Sequence, residues 1–128
     1  MKKVLIAEDD GDIRTLLQIV LQREGIAVDC ASNGAEALSW MKNKRYTLLI
    51  LDMMMPVMSG DSVIQHLKNL PERERPEVVL VISAGRQHSS SLDPAIVRGV
   101  ISKPFDVFEL ARLVRDLLGS TEQTRAGA

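Results

Sequence analysis

Four apolar stretches of this sequence break off at polar residues whose types can do chemistry together. Val4 to Ala7 gives way to Glu8-Asp9, Thr47 to Leu51 gives way to Asp52, Val78 to Ile82 to Ser83, and Val100-Ile101, after one serine, to Lys103-Pro104. Taken singly, each has an ordinary explanation. Acids from Glu8 to Asp12 suit the start of a helix, and Asp52, Ser83 and Lys103-Pro104 suit turns. Their joint placement says more, because carboxylates a few ångströms apart cannot all ionise cheaply without a cation. Oxygen ligands completed by water favour a hard divalent ion, Mg2+. Such an ion screens the approach of a phosphoryl group to Asp52, while Lys103 and Ser83 hold its oxygens as charge develops. Asp52 is then the nucleophile and becomes an acyl phosphate.

For these residues to meet, the apolar stretches must be parallel strands that end on one side of a sheet. The segments between them read as the required helices. After Asp10, the residues Ile13, Leu16, Leu17, Val20 and Leu21 fall at helical spacing until Gly25. Ile26, Val28 and Cys30 alternate with Ala27, Asp29 and Ala31 as a half-buried peripheral strand, and Asn33 with Glu36 offers a capping box for a helix through about Lys42. Gly60-Asp61 opens a helix carrying Val63, Ile64, Leu67 and Leu70. Asp106 and Glu109 cap the last helix, whose apolar face is Leu110, Leu113, Val114, Leu117 and Leu118 before Gly119. Between residues 84 and 98, Gly85, Ser89-Ser90-Ser91 and Pro94 oppose a regular helix, so a loop with a short or late helix is expected. Residues 1–119 read as one domain, and 120–128 as a flexible tail or the start of a linker. Strands alternating with helices imply a doubly wound parallel α/β sheet covered on both faces, with its site beyond the carboxyl ends of the strands.

Composition narrows the partners. The 128 residues are 45% hydrophobic and 26% charged, in the range of a globular domain. Sixteen Lys and Arg against seventeen Asp and Glu leave a formal charge of -1, with no excess to hold a nucleic-acid backbone. Met1-Lys2-Lys3 starts like a signal peptide, but Val4 to Ala7 is shorter than the roughly seven residues such a core needs. No apolar run approaches the roughly 18 residues of a membrane span, and the single Cys30 fits a reducing compartment. A cytoplasmic protein without membrane or nucleic-acid contacts is expected. Met53, Met54, Met55 and Met58 read as packing or an adaptable surface, His66 and His88 as surface residues, and Trp40 as partly packed on the sheet.

At this point the sequence resembles the receiver domains of response regulators in two-component signalling. The resemblance rests on VLIAEDD with Arg14 five residues after Asp9, LLILDMMMPVMSG around Asp52, VLVISA with Ser83 and ISKPF with Lys103, and it spans about residues 3 to 118. It implies a flavodoxin-like fold with strand order 2-1-3-4-5, often with a cis peptide before the proline matching Pro104. Asp52 then takes phosphate from the phosphohistidine of a sensor histidine kinase or histidine phosphotransfer protein. By the same resemblance, Asp9 and Asp52 are expected to bind Mg2+ directly, with Met54 offering its backbone carbonyl and Glu8 acting through water. The phosphorylated form acts on a downstream protein target or output domain, whether the protein is a stand-alone receiver or part of a longer regulator.

Rival readings fare less well. A phosphatase of the haloacid-dehalogenase type wants a second Asp where Met54 stands. A flavodoxin-like cofactor binder needs a phosphate loop where Glu8-Asp9-Asp10 would repel one. A phosphorylation-independent interaction module that keeps the acidic pocket stays as the alternative. Three positions depart from common family patterns. Met54 and Gly85, which flank the path of the hydrolytic water in the family, cannot orient it by hydrogen bonding. Val100 stands where many receivers have a mobile aromatic ring, so the expected switch is a rearrangement of residues 84 to 98 following Ser83.

Overall fold

Chain order in the computed structural model is β1 (Lys3–Ala7), α1 (Gly11–Arg23), β2 (Ala27–Ala31), α2 (Gly34–Asn43), β3 (Leu48–Asp52), α3 (Gly60–Lys68), a 3-10 turn (Glu72–Glu74), β4 (Val78–Ser83), β5 (Val97–Ser102) and α4 (Val107–Gly127). The structure describes residues 2–84 and 92–127, with side chains through 119. All five strands are parallel, in the order β2-β1-β3-β4-β5. The chain steps from β1 to β2 on one side and then to β3 on the other, so the order reverses between β1 and β3.

Period-two alternation divides the strand side chains between two cores. Leu5, Leu49, Leu51, Val79 and Val81 face α2 and α3, meeting Ala37, Met41, Val63, Ile64 and Leu67. Val4, Ile6, Leu48, Ile50, Leu80 and Ile82 face α1 and α4, meeting Leu17, Leu21, Leu110, Val114 and Leu118. The central strands are buried on both faces, which is why β3 and β4 read as unbroken apolar runs. Truncating one of these leucines to alanine costs about 2–5 kcal/mol.

Side chains cap the helices where the sequence places their starts. The Asp10 carboxylate accepts from the amides of Asp12 and Ile13, Asn33 from that of Glu36 at 2.8 Å, and Asp106 from that of Phe108 at 2.7 Å. The capping box at Asn33 is only half formed, because the Glu36 carboxylate accepts from Ser32 Oγ at 3.0 Å. At the peripheral strand β2, Asp29 accepts from the buried Tyr46 hydroxyl at 2.7 Å and pairs with Lys44 at 3.2 Å, while Lys44 lies over the Trp40 ring. These partners hold the Asp29 carboxyl below the usual range although burial works against its charge.

Two element boundaries differ from the sequence reading by about three residues or more. Strand β5 starts at Val97 and not at Val100. Among the described residues, 94–96 form a turn, with the amides of Ile96 and Val97 donating to the Asp93 carbonyl, and no late helix stands there. Residues 85–91, including the expected loop around Gly85 and His88, lie outside the described residues. The α4 backbone continues through Gly119, where its end was expected, to Gly127. One interior glycine costs a helix only about 1 kcal/mol, and no proline follows it to force a stop. Among the described residues, no helix is long and apolar enough to cross a membrane.

Candidate functional site

Backbone hydrogen bonds carry the sheet ladder one step past the strand ends. The Glu8 amide donates to the Ala31 carbonyl at 3.0 Å, the Met53 amide to Ile82 at 3.1 Å and the Lys103 amide to Ser83 at 2.7 Å. Glu8, Asp52, Ser83 and Lys103 are therefore positioned by the rigid sheet, from the four adjacent strands β1, β3, β4 and β5. This is the edge at which the strand order reverses and where such sheets bind ligands. The Lys103-Pro104 peptide is cis, as the resemblance implies.

The pocket is acidic and its floor is buried. Glu8, Asp52 and Ser83 are buried, with at most 1% of each exposed, whereas Asp9 is exposed at the mouth. One carboxylate oxygen from each of Glu8, Asp9 and Asp52 lies within 4.8 Å of the others. Lys103 Nζ lies 3.2 Å from Asp52 Oδ2 and 3.3 Å from Glu8 Oε1. Asp52 Oδ1 accepts from the Met54 amide at 3.1 Å. Glu8 Oε2 accepts from the Asp10 amide at 3.2 Å, but its buried Oε1 has no hydrogen bond, despite the nearby ammonium.

These contacts set the protonation. Burial first, and then the adjoining Asp52 carboxyl, push Glu8 up to about 8, against smaller opposing effects of the Asp10 amide and Lys103. Glu8 thus keeps a proton near neutral pH. Burial works against the Lys103 charge, but Asp52 and then Glu8 more than offset it and raise its pKa. Oxygen donors alone, one of them buried without a hydrogen bond, suit a hard divalent cation that would replace the proton.

Arg14 belongs to the sequence motif without a role of its own there, and the structure shows what it touches. Its guanidinium donates to the Glu8 carbonyl at 2.7 Å and, less closely, to the Asp9 carbonyl at 3.4 Å. The signal was available, because a long side chain in the first turn of α1 points back toward the helix N-terminus and so toward this loop.

The loop after Asp52 is held at three places. Besides the Met53 amide, the Gly60 amide donates back to the Met53 carbonyl at 3.1 Å, and the Gly34 amide to the Met58 carbonyl at 3.3 Å. A Cβ on Gly60 would stand 2.7 Å from Met53 Cα and 2.8 Å from the Asp52 carbonyl oxygen, so only glycine fits. Between these ties, the Met58 amide donates to the Pro56 carbonyl at 2.7 Å around Val57, whose φ is 68°. Such a γ-turn on a β-branched residue is strained.

The methionines of this loop divide: Met53 is buried, Met55 and Met58 pack against the α2–α3 core, and the Met54 side chain is 69% exposed. Val100 is 45% exposed on β5, Gly85 lies outside the described residues, and His66 is on the surface as read. Trp40 packs against the α2–α3 core, its indole donating to the Cys30 carbonyl at 3.0 Å. Beside Lys103, a mostly apolar groove of about 510 Å³ runs between α1 and the segment before α4, lined by Ile13, Leu16, Leu17, Pro104, Phe105 and Val107.

Comparison with known proteins agrees with this geometry. Residues 4–115 match the response regulator receiver domain. An uncharacterized 14.6 kDa protein of Leptolyngbya boryana is 34% identical over 113 residues, 88% of this chain and 86% of that one. The transcriptional regulatory protein ResD of Bacillus subtilis is 32% identical over 95% of this chain, which spans only 50% of ResD. Among solved structures, the Francisella response regulator 1452 receiver domain superposes with a TM-score of 0.82 at 27% identity, covering 94% of this chain and 99% of that one. The response regulator TrrA of Thermotoga maritima, solved in complex with Mg2+ and BeF, has a TM-score of 0.77 at 32% identity over 91% of this chain and 99% of that one. With the strand order, the acidic pocket and the match over residues 4–115, this chain belongs to the response regulator receiver domain family.

Proposed function

We propose that this receiver accepts a phosphoryl group on Asp52 from the phosphohistidine of a sensor histidine kinase or histidine phosphotransfer protein, in a Mg2+-dependent step. The observation that carries the reading is the buried Asp52 carboxylate, paired with Lys103 at 3.2 Å and flanked by Glu8 and Asp9. Asp9, Asp52 and the Met54 carbonyl would hold the cation, with Glu8 acting through water, and TrrA supports this as a relative solved with Mg2+ and BeF. When bound, Mg2+ supplies the positive charge that shields an incoming phosphoryl group from these carboxylates. Asp52 attacks phosphorus, and the P–O bond forms as the P–N bond to the donor imidazole breaks. Lys103 moves its hydrogen bond to a phosphoryl oxygen, and Ser83 takes another.

The apolar groove beside Lys103 supports a protein donor, since Lys103, which pairs with Asp52, is part of its lining. The phosphorylated receiver then changes its binding of a downstream protein or output domain, acting in the cytoplasm as a signalling module that promotes its own phosphorylation and dephosphorylation. Residues 1–119 form the receiver unit, and 120–128 lead out of it. With Val100 in place of an aromatic ring, the change passes from Ser83 into residues 84 to 98.

Acetyl phosphate or a phosphohistidine donor, with and without Mg2+, tests the reading. The wild type should be labelled only with Mg2+, and Asp52→Asn not at all. Labelling of Asp52→Asn at the wild-type level removes the assignment, and a wild type that no donor labels points to an interaction module independent of phosphorylation.

A further inference from the structure

On the sheet face opposite α1 and α4, a groove of about 600 Å³ opens between the C-terminal halves of α2 and α3. Its floor is apolar, built by Leu38, Met41, Met58 and Leu70. Its rim is cationic: Lys42, Lys44, Arg45 and Arg73 line it against a single acid, Glu74, in a chain whose formal charge is -1. Lys44 is committed to Asp29. Lys42, Arg45 and Arg73 are exposed and have no ion-pair partner among the described residues.

We propose that this groove docks an acidic amphipathic helix of a partner protein, with its apolar side chains on the floor and its carboxylates against Lys42, Arg45 and Arg73. The volume lies within the roughly 300–1,000 Å³ of ligand-sized clefts, enough for the anchor side chains of a helix laid along it. Met41 and Met58 have unbranched thioether side chains that adapt to the shape of such anchors. The apolar surface is at the bottom of a concavity and the cations stand around it. A flat anionic bilayer could reach the cations but not the floor, whereas a helix reaches both. Unpaired cations at the rim also attract an acidic segment from a distance and repel a basic one. The groove lies apart from the acidic pocket, and the inference does not depend on phosphorylation of Asp52.

A fluorescent acidic amphipathic helical peptide, its charge-reversed counterpart and vesicles of anionic phospholipid are titrated separately with the full chain. Amide chemical shifts locate the contact, and sedimentation of the chain alone reports self-association. The acidic peptide should bind, shift amides of α2 and α3, weaken as salt rises, and lose about tenfold in affinity with Lys42→Glu plus Arg45→Glu. Both substitutions are on the exposed surface, and an unchanged circular dichroism spectrum and melting temperature certify that the variant is folded. The proposal is overturned if the acidic peptide does not bind, if its charge-reversed counterpart binds equally well, or if the variant retains full affinity. Shifts confined to another face, binding of vesicles without the peptide, or self-association through α2 and α3 overturn it as well.

Discussion

Lys103 Nζ and Asp52 Oδ2 stand 3.2 Å apart, so the ammonium occupies the side of the carboxylate from which a phosphoryl oxygen would be held. Lys103 is also a cation among carboxylates able to hold a divalent ion, so it would compete for them. Lys103→Gln should therefore slow labelling of Asp52 by acetyl phosphate roughly 10²-fold, as loss of one charge-stabilising donor does. Calorimetry should find Mg2+ affinity unchanged or tighter. Weaker Mg2+ binding would show that Lys103 organises the carboxylates instead.

Glu8 sets a pH dependence with a definite sign. Its pKa rises from 4.5 to about 8 on folding, chiefly through burial. The folded chain then holds a proton that the unfolded chain has released, and the associated stability is fully present below about 4.5 and lost as pH rises through about 8. Metal-free melting temperature should fall across that window, and Glu8→Gln should flatten the decline. Mg2+ must displace the same proton, so its affinity should rise over the same interval and its binding should acidify a weakly buffered solution. A wild-type profile parallel to that of Glu8→Gln would refute the assignment.

The lifetime of the acyl phosphate should be long. Attack by water needs an orienting group, and the Met54 side chain is exposed and apolar. Met54→Asn adds an amide that can hold the water, so radiolabel release from phosphorylated protein should quicken several-fold, within the roughly 10²-fold reach of such positioning. Equal or slower release would remove Met54 from the argument.

Gly60→Ala tests the acceptor loop. Its new methyl group meets backbone at 2.7 and 2.8 Å as well as Met53 Sδ at 2.7 Å, so movement of that side chain alone cannot relieve the clash. Chemical denaturation should show a loss of about 1–3 kcal/mol, and labelling should slow because Asp52 itself is displaced. Full activity with wild-type stability would mean that the loop relaxes freely.

The strand ends were legible because burial on both faces writes β3 and β4 as apolar runs that stop at Asp52 and Ser83. Edge strand β5 was not. Only one of its faces is covered, so Arg98 and Gly99 interrupt the pattern, and its first residues passed for loop. The acids and the lysine could be named from sequence, but not the protonation of Glu8. That depends on complete burial and on the adjoining Asp52 carboxyl, which only packing reveals. The Arg14 contacts to the Glu8 and Asp9 carbonyls also escaped, since a bond to backbone leaves no partner residue type to look for.

The ties on the loop from Met53 to Gly60 give it the mechanics of a strut. One end is fastened to β4 through Ile82, the return to α3 closes on Met53, and the far side is pinned to α2 at Gly34. The strained turn at Val57 projects into solvent between these ties. A segment anchored in this way has little compliance near Asp52, so a bulky new group there cannot be absorbed by local slack. Displacement would pass along the anchors, toward the end of β4 or the start of α2, and stiffness rather than flexibility would let the loop transmit it.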